Sequence, residues 1–313
     1  MPVNATLATY SDWTYGAAVA VYFFAAVLYL CEAAFARPAK AAREREMVAS
    51  GGTRADGTWT PGLVSRPQRS RAERLGRMGV ALNVLGVLLQ AGSLVLRGLS
   101  TGRAPWGNMY EYMSLLTLAG VVTWLVLARV FPVRRLGGFV LVPVVVLMFL
   151  GGTVLYADAA PVQPALQSYW LVVHVSVISV SSGVLLVPGV ASVLYLLKSS
   201  GRARYARLPD AGVLDRLAYR STVFAFPLFT IGIICGAIWA EAAWGRFWGW
   251  DPKETVAFVS WVVYAAYLHA RATAGWRGRP AAWINSLGFA LTVFNLFFIN
   301  LVTTGLHSYA GVA

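Results

Sequence analysis

The stretch "LGGFVLVPVVVLMFLGGTVLY", Leu136 to Tyr156, runs for 21 residues without a charged side chain. At a rise of about 1.5 Å per residue, a helix of this length crosses the ~30 Å hydrocarbon core of a bilayer. Similar runs recur along the chain, which is 58% hydrophobic and only 12% charged. Soluble domains carry about 25% charged residues. The sequence therefore predicts a polytopic membrane protein built from helices.

We predict an all-α membrane helix bundle with about eight transmembrane helices. Residues 1–36 contain the first span, and 37–78 form a flexible, basic cytoplasmic loop. Residues 79–313 hold the other seven spans in one compact block. The predicted spans are roughly 16–36, 79–96, 109–131, 136–156, 169–197, 220–243, 255–274 and 283–305.

The net charge of +13 indicates membrane topology rather than a nucleic-acid partner. Of the 26 Lys and Arg residues, 22 lie in or beside the segments that join spans one to two, three to four, five to six and seven to eight. The opposite segments hold only Arg97, Arg103, Arg246 and Lys253. By the positive-inside rule the basic segments are cytoplasmic. Both termini are then external, and we expect a multi-pass protein of the plasma membrane.

Two external segments mix aromatic and polar residues where a helix enters the membrane. They are "STGRAPWGNMYEY" before the third span and "EAAWGRFWGWDPKE" before the seventh. Asp251, Pro252 and Glu254 fit the N-cap, first and third positions of a helix, which is the capping-box arrangement. Asn108 and Glu111 fit the same scheme. Helix capping alone accounts for these five residues.

The tryptophans of the second segment need a further explanation. Trp239, Trp244, Trp248 and Trp250 crowd one connection, whereas interfacial aromatic belts spread over many helix ends. If the segment is helical, Trp244 and Trp248 share a face. They form either part of a belt or the floor of a cofactor site.

The chain has three histidines. His174 lies near the external start of the fifth span, and His307 lies at the external end of the eighth. His269 lies 15 residues beyond Glu254 in the seventh span, about 22 Å along the helix axis and towards the cytoplasm. A histidine in a membrane helix is often a packed, hydrogen-bonded residue, but ionisable groups in a bilayer are costly and tend to mark function.

Two external histidines beside a tryptophan-rich floor fit a flat aromatic ligand held through a metal. Heme meets this description, because imidazole ligates its iron and indole rings pack on the macrocycle. Arg246 or Lys253 could pair with its propionates. A quinone suits the same pattern, so the residues by themselves leave both ligands open.

The run "WAEAAWGRFWGWDPKETVAFVSWVVYAAYLHAR", 239–271, resembles the tryptophan-rich "WWD" signature of heme-handling proteins. Within that group the chain resembles the CcsA/ResC-type cytochrome c biogenesis proteins of System II. The stretches "PWGNMYEY" (105–112), "LQSYWLVVHV" (166–175) and "NLVTTGLHSYAG" (300–311) support this resemblance. It covers the chain from about residue 79 to the end and implies that 79–313 is a heme-handling domain with an external WWD segment at 239–254.

The resemblance also implies roles for individual residues. His174 and His307 resemble the external axial ligands that present heme, and His269 resembles an intramembrane histidine that binds heme earlier on its path. The implied heme-binding set also includes Trp239, Trp244, Trp248, Trp250, Asp251, Arg246, Lys253, Asn108, Tyr110 and Glu111.

The implied reaction adds the two cysteine thiols of a CxxCH motif in apocytochrome c across the heme vinyl groups. The chain supplies no nucleophile; it acts by holding heme in place, as part of a heme lyase (synthetase) complex. The implied partners are a ResB-type membrane subunit, apocytochrome c, a thiol-reducing thioredoxin-like protein and membrane lipid.

Two departures and two alternatives accompany this interpretation. Many relatives carry Trp where this chain has Val256, and the loop 37–77 has no match.

A System I exporter that loads a heme chaperone shares the signature, but the eight spans and "NMYE" favour System II. A quinone-linked heme electron carrier is the other alternative. It usually pairs histidines in mid-membrane, and here only His269 is deep.

Overall fold

The computed structural model describes residues 2–35, 70–162, 164–303 and 305–307. These residues form long α-helices joined by loops and short 3₁₀ turns, without a strand, so the predicted all-α class is confirmed. The long helices are α1 (Ala5–Phe35), α2 (Arg71–Thr101), α3 (Met109–Val130), α4 (Gly137–Thr153), α5 (Tyr169–Lys198), α6 (Ala211–Trp244), α7 (Pro252–Ala272) and α8 (Arg279–Leu301).

Each of the eight predicted spans overlaps one described helix, although α1 and α6 begin earlier than predicted, at Ala5 and Ala211. Seven of these helices are long and apolar enough to cross a bilayer, so the chain is a multi-pass membrane protein. The exception is α7, whose Trp, Tyr, His and Arg residues dilute its apolar character. The predicted loop 37–78 lies mostly outside the described residues, and its last eight residues belong to α2.

The helices alternate in direction, so each end of the bundle collects helix termini. One end holds the end of α6 and the start of α7, and with them residues Trp239–Trp250; we call it the tryptophan end. The starts of α1, α3 and α5 and the ends of α2, α4 and α8 lie there too. Of the Lys and Arg residues that the structure describes, most lie towards the opposite end, which we call the basic end.

Helices α1 and α2 pack along a seam of tyrosines against glycines. The Tyr22 ring fills the space that a Cβ on Gly86 would need, at 2.4 Å, and its hydroxyl donates to Gln90 at 2.9 Å. Alternating steps of three and four give each helix the heptad spacing of a coiled coil. The buried α1 residues of the seam are Ser11, Tyr15, Ala18, Tyr22, Ala25, Tyr29 and Glu32. The buried α2 residues are Gly76, Gly79, Asn83, Gly86, Gln90, Ser93, Arg97 and Ser100.

A buried ion-pair network shapes the loop that leads into α3 at the tryptophan end. The Glu111 carboxylate accepts hydrogen bonds from Arg97 (3.1 Å), Arg103 (2.8 Å) and the Gly107 N–H (2.8 Å). Asn108 caps α3 by accepting from the Glu111 N–H at 2.9 Å. The predicted cap at Asn108 is confirmed, but Glu111 bonds to Gly107 and the arginines rather than closing a capping box.

Candidate functional site

A cavity lies at the tryptophan end, lined by residues of α3, α5, α6, α7 and α8. It encloses about 1340 Å³ of empty space, counting its open mouth. Cofactor sites are typically concave and mostly apolar, with a few polar groups that fix orientation. This cavity has that character. The polar and ionisable residues of its wall include Asn108, His174, Lys253, Glu254, Asn300 and His307.

His174 lies in the second turn of α5 and lines the cavity. Its Nδ1 lies 2.8 Å from the backbone carbonyl oxygen of Gly232 in α6. Its ring stacks on Trp239, with centroids 6.0 Å apart and planes 8° apart. A Cβ on Gly236 would lie 2.7 Å from the imidazole, so α6 needs glycine there to approach so closely. The ring is therefore held by α6.

His307 lies just beyond the end of α8 and lines the same cavity. Its Nδ1 lies 2.9 Å from the Asp251 Oδ2. Its ring meets Trp239 and Trp244 edge to face, with centroids 5.8 and 5.0 Å apart. Both histidines thus contact the Trp239 indole, although 133 positions separate them in the sequence.

Asp251 joins the start of α7 to the segment that carries His307. Its Oδ2 accepts from the Lys253 N–H at 3.2 Å, and a capping box with Glu254 is present, as the sequence predicts. Its Oδ1 accepts from the Leu306 N–H at 2.9 Å. A Cβ on Gly305 would lie 2.5 Å from Oδ1. The carboxylate is therefore both a helix cap and the anchor of the histidine.

The hydrogen bonds assign a tautomer to both histidines. Each Nδ1 faces an acceptor, so each carries its proton on Nδ1 and leaves a lone pair on Nε2. Burial lowers the pKa of His307 below its ordinary value, and the Lys253 charge lowers it further against the opposing effect of Asp251. Burial raises the pKa of Asp251, but the hydrogen bonds from Leu306 and His307 outweigh it and hold that pKa low. His307 is then neutral beside a charged carboxylate, and neutral imidazole is the form that ligates iron.

The four tryptophans occupy two separate positions. Trp239 and Trp244 pack on each other, with centroids 4.8 Å apart, and on the histidines. Trp248 lines the cavity and meets Trp250 at 5.8 Å. Trp250 is 65% exposed and has a φ of 56°, an uncommon backbone conformation for a residue with a side chain. The tryptophan segment is thus partly a floor and partly an exposed rim.

The two cations of the segment also differ. Lys253 lines the cavity, and its ammonium donates to the Asn300 Oδ1 at 2.6 Å. Arg246 folds over Gly249 and lies 4.0 Å from the Glu254 carboxylate. Lys253 therefore offers a charge inside the cavity, whereas Arg246 is partly neutralised at its edge.

The "NMYE" residues contribute unequally to the cavity. Asn108 lines it, together with Trp106 and Gly107. Tyr110 packs between Tyr15 and Tyr156, with centroids 4.7 and 5.4 Å away, and does not line the cavity. Glu111 is likewise outside the wall, but it holds the loop that brings Asn108 there.

His269 lies in the last turns of α7, towards the basic end, and the structure does not bring it to the cavity. It is exposed on the outer surface of the bundle, on the helix face that also carries Val262 and Phe258. This surface is apolar apart from the imidazole.

Several polar residues of the wall were not among the predicted site residues. Glu254, Asn295 and Asn300 line the cavity, and so does Trp106, which packs against the cluster that contains Trp239. Four wall residues carry a buried atom that has no hydrogen-bond partner among the described residues, so a ligand with polar edges would fit them. These atoms are Trp106 Nε1, Trp239 Nε1, Glu254 Oε1 and Asn295 Oδ1. An asparagine pair near the end of an apolar helix is the signal that could have identified Asn295 and Asn300.

Comparisons with known proteins agree with this site. The family model described as "Cytochrome C assembly protein" matches residues 106–307, well over half of the chain and all of the cavity's main polar groups. The chain is similar to the cytochrome c biogenesis protein CcsA of Chlamydomonas reinhardtii, with 39% identity over 74% of this chain and 67% of that protein. It is also similar to CcsA of a Synechococcus strain, with 37% identity over 77% of this chain and 88% of that protein.

One solved structure shares the fold at low sequence identity. The cytochrome c heme lyase CcmF superposes with a TM-score of 0.62 at 17% identity, covering 99% of this chain. The chain spans about half the length of that protein, 49%. The helical arrangement described above is therefore one that a larger protein also adopts.

Proposed function

Because the chain belongs to the family of cytochrome c assembly proteins, we propose that it is the membrane subunit of a System II cytochrome c synthetase. It delivers heme to the external face and promotes its covalent attachment to the CxxCH cysteines of apocytochrome c. The charge distribution supports this orientation, since it puts the tryptophan end outside the cell.

The main observation behind the proposal is that His174 and His307 both contact the Trp239 indole. His174 and His307 both use Nδ1 for a hydrogen bond, and no described residue bonds to either Nε2, so both Nε2 atoms can ligate iron. Trp239 contacts both rings and holds them beside the same apolar cavity, where the macrocycle would lie. A quinone would use a hydrogen-bond donor at each end rather than two bare imidazole nitrogens.

The remaining polar groups suit the periphery of the same ligand. Lys253 brings its ammonium to the cavity wall, bonded to Asn300 at 2.6 Å. There it would pair with a propionate of the bound ligand. Arg246 lies at the edge, where an incoming carboxylate competes with Glu254 for its guanidinium. Asn108 also forms part of the wall.

The chemistry requires positioning rather than a nucleophile. In each thioether bond, a cysteine sulfur bonds to one vinyl carbon and its proton goes to the other, so no oxidant is consumed. The cavity residues hold the macrocycle, so that the two thiols of a bound CxxCH react as if intramolecular.

His269 fits a role shared with a partner. Its imidazole is exposed on the outer face of α7, so a ResB-type subunit that packs on this face could complete a ligand pair there. A thioredoxin-like protein would keep the apocytochrome thiols reduced.

The proposal is tested by co-expressing the chain with a ResB-type subunit and a CxxCH reporter in a host that lacks other maturation systems. We expect covalent heme on the reporter that depends on both subunits, and a loss of at least tenfold in the His174→Ala and His307→Ala variants, as for altered metal ligation. The matched control is Asn83→Ala, a buried α2 residue remote from the cavity. Unchanged maturation in both histidine variants would reject the proposal.

A further inference from the structure

The two cavity histidines, His174 and His307, differ in what holds them. The Nδ1–H of His174 donates to a backbone carbonyl, that of Gly232, at 2.8 Å. The Nδ1–H of His307 donates to the Asp251 carboxylate at 2.9 Å. A carboxylate acceptor makes an imidazole a stronger metal ligand than a neutral carbonyl does. The two Nε2 atoms are therefore unequal donors.

The anchors also differ in how firmly they are built. Asp251 is 8% exposed, and both of its oxygens are engaged, by Leu306, Lys253 and His307. If His307 moved out of the cavity, the buried Asp251 carboxylate would lose its hydrogen bond from the imidazole, and leaving a buried charge without that bond costs free energy. That movement would also disturb the cap of α7. The segment that carries His307 is thus fastened to the start of a helix.

Moving His174 away from the Gly232 carbonyl costs less than moving His307 away from Asp251. Among the described residues its ring bonds only to a carbonyl within α6, where helical carbonyls also accept from the N–H four residues on. Breaking that bond leaves no buried charge unpaired. In the part of the chain that the structure describes, packing against Trp239 and the backbone at Gly236 holds the rest of the ring.

We propose that Asp251 is a positioning residue that makes the two histidines unequal: the Asp251–His307 pair keeps the heme iron, and His174 is the ligand that yields its place to the histidine of the incoming CxxCH. This inference rests on the proposed function, because it presupposes that heme binds between the two rings. It assigns the exchange to one side of the cavity, the side formed by α5 and α6.

The test uses ferrous heme in the purified full-length chain and carbon monoxide as the probe. Carbon monoxide replaces the weaker axial ligand, and photolysis then leaves iron bound to the remaining histidine. The iron–histidine stretching frequency in resonance Raman spectra rises when that histidine donates to a carboxylate. Asp251→Asn keeps the size of the side chain and its capping ability, but removes the charge. We expect this variant to lower the frequency.

The matched control is Asp158→Asn, an exposed carboxylate at the same end that contacts neither ring; it should leave the frequency unchanged. An unchanged frequency in Asp251→Asn would mean that carbon monoxide had displaced His307, and the inference would be wrong. Failure of carbon monoxide to bind at all would also reject it, because neither histidine would then be exchangeable.

A second measurement does not depend on the Asp251 variant. His307→Gly should lower heme retention about tenfold more than His174→Gly, the range for loss of a supported metal ligand. Free imidazole should restore the six-coordinate spectrum of His174→Gly. The opposite order of retention would contradict the inference. A wild-type protein that binds no heme would instead reject the proposed function.

Discussion

At the residue scale, the site depends on groups that serve two purposes. Asp251 caps α7 and anchors His307, and Trp239 contacts both histidines. Trp250, directly before Asp251, has a left-handed backbone, and strain of this kind costs about 1–3 kcal/mol and is found mostly at functional sites. A helix start and a ligand site therefore share the same few residues.

Gly236 provides a test of how closely His174 must be held. In Gly236→Ala the new Cβ would lie 2.7 Å from the imidazole, so the ring must move away from Gly232. We expect reduced heme binding and reporter maturation, with the protein still inserted in the membrane. The amount of heme per protein in purified Gly236→Ala and wild type, measured by absorbance, tests this expectation.

The matched control for Gly236→Ala is Gly212→Ala in the first turn of the same helix. A Cβ there meets only the flexible end of Arg216, at 3.6 Å. Equal heme content in both variants and the wild type would show that the contact with Gly236 does not position His174.

At the element scale, the seam between α1 and α2 shows how a helix interface can be specific without being strongly apolar. Apart from Arg97, its α2 side consists of glycine, serine, asparagine and glutamine. In a bilayer, small residues let helices approach closely and polar side chains hydrogen-bond across the interface. Tyr22 uses both effects at once, since its ring fills the space beside Gly86 and its hydroxyl bonds to Gln90.

Gly86→Ala should destabilise the protein, because its Cβ would lie 2.4 Å from the Tyr22 ring. Overpacking of this kind typically costs about 1–3 kcal/mol. We expect a lower midpoint of thermal unfolding in detergent. Gly92→Ala on the same helix has open space around its Cβ and should be neutral or slightly stabilising. An identical midpoint for the two variants would mean that the seam tolerates repacking.

At the scale of the whole molecule, the alternating helices bring all the predicted heme-site residues except His269 to one end. Most of the described Lys and Arg residues, and His269, lie towards the other. The cavity draws on helices from α3 to α8, so its walls are separated by more than 180 residues of chain. A cavity at the tryptophan end fits a protein that takes up its ligand from the cytoplasm or the bilayer and presents it at the external face.

The proposed orientation can be tested with single cysteines at two exposed positions. Tyr169 is 77% exposed at the tryptophan end, and Trp276 is 47% exposed at the basic end. In a background without Cys31 and Cys235, we expect a membrane-impermeant maleimide to label Tyr169→Cys in intact cells. Trp276→Cys should react only after permeabilisation, and the reverse pattern would overturn the orientation.

The amino-acid sequence alone determined where the helices lie and which end of them is chemically unusual. Hydropathy predicted all eight helices because burial in lipid acts on each span separately. The helix caps at Asn108 and Asp251 were also predictable, because a cap depends on residues only two or three positions apart in the sequence. By contrast, the seam of α1 and α2 gave no hydropathy signal, because its residues are small or polar.

Only the tertiary structure decided how the candidate residues combine. It joined His307 to Asp251 across 56 positions and His174 to Gly232 across 58, and it placed Tyr110 in the core and His269 on the outer surface. Hydrogen bonds between remote residues depend on how helices rotate and approach one another, which is set by packing along their whole length. The sequence thus shows which residues could bind heme. Only the folded bundle shows that His307 donates to a carboxylate and His174 to a backbone carbonyl.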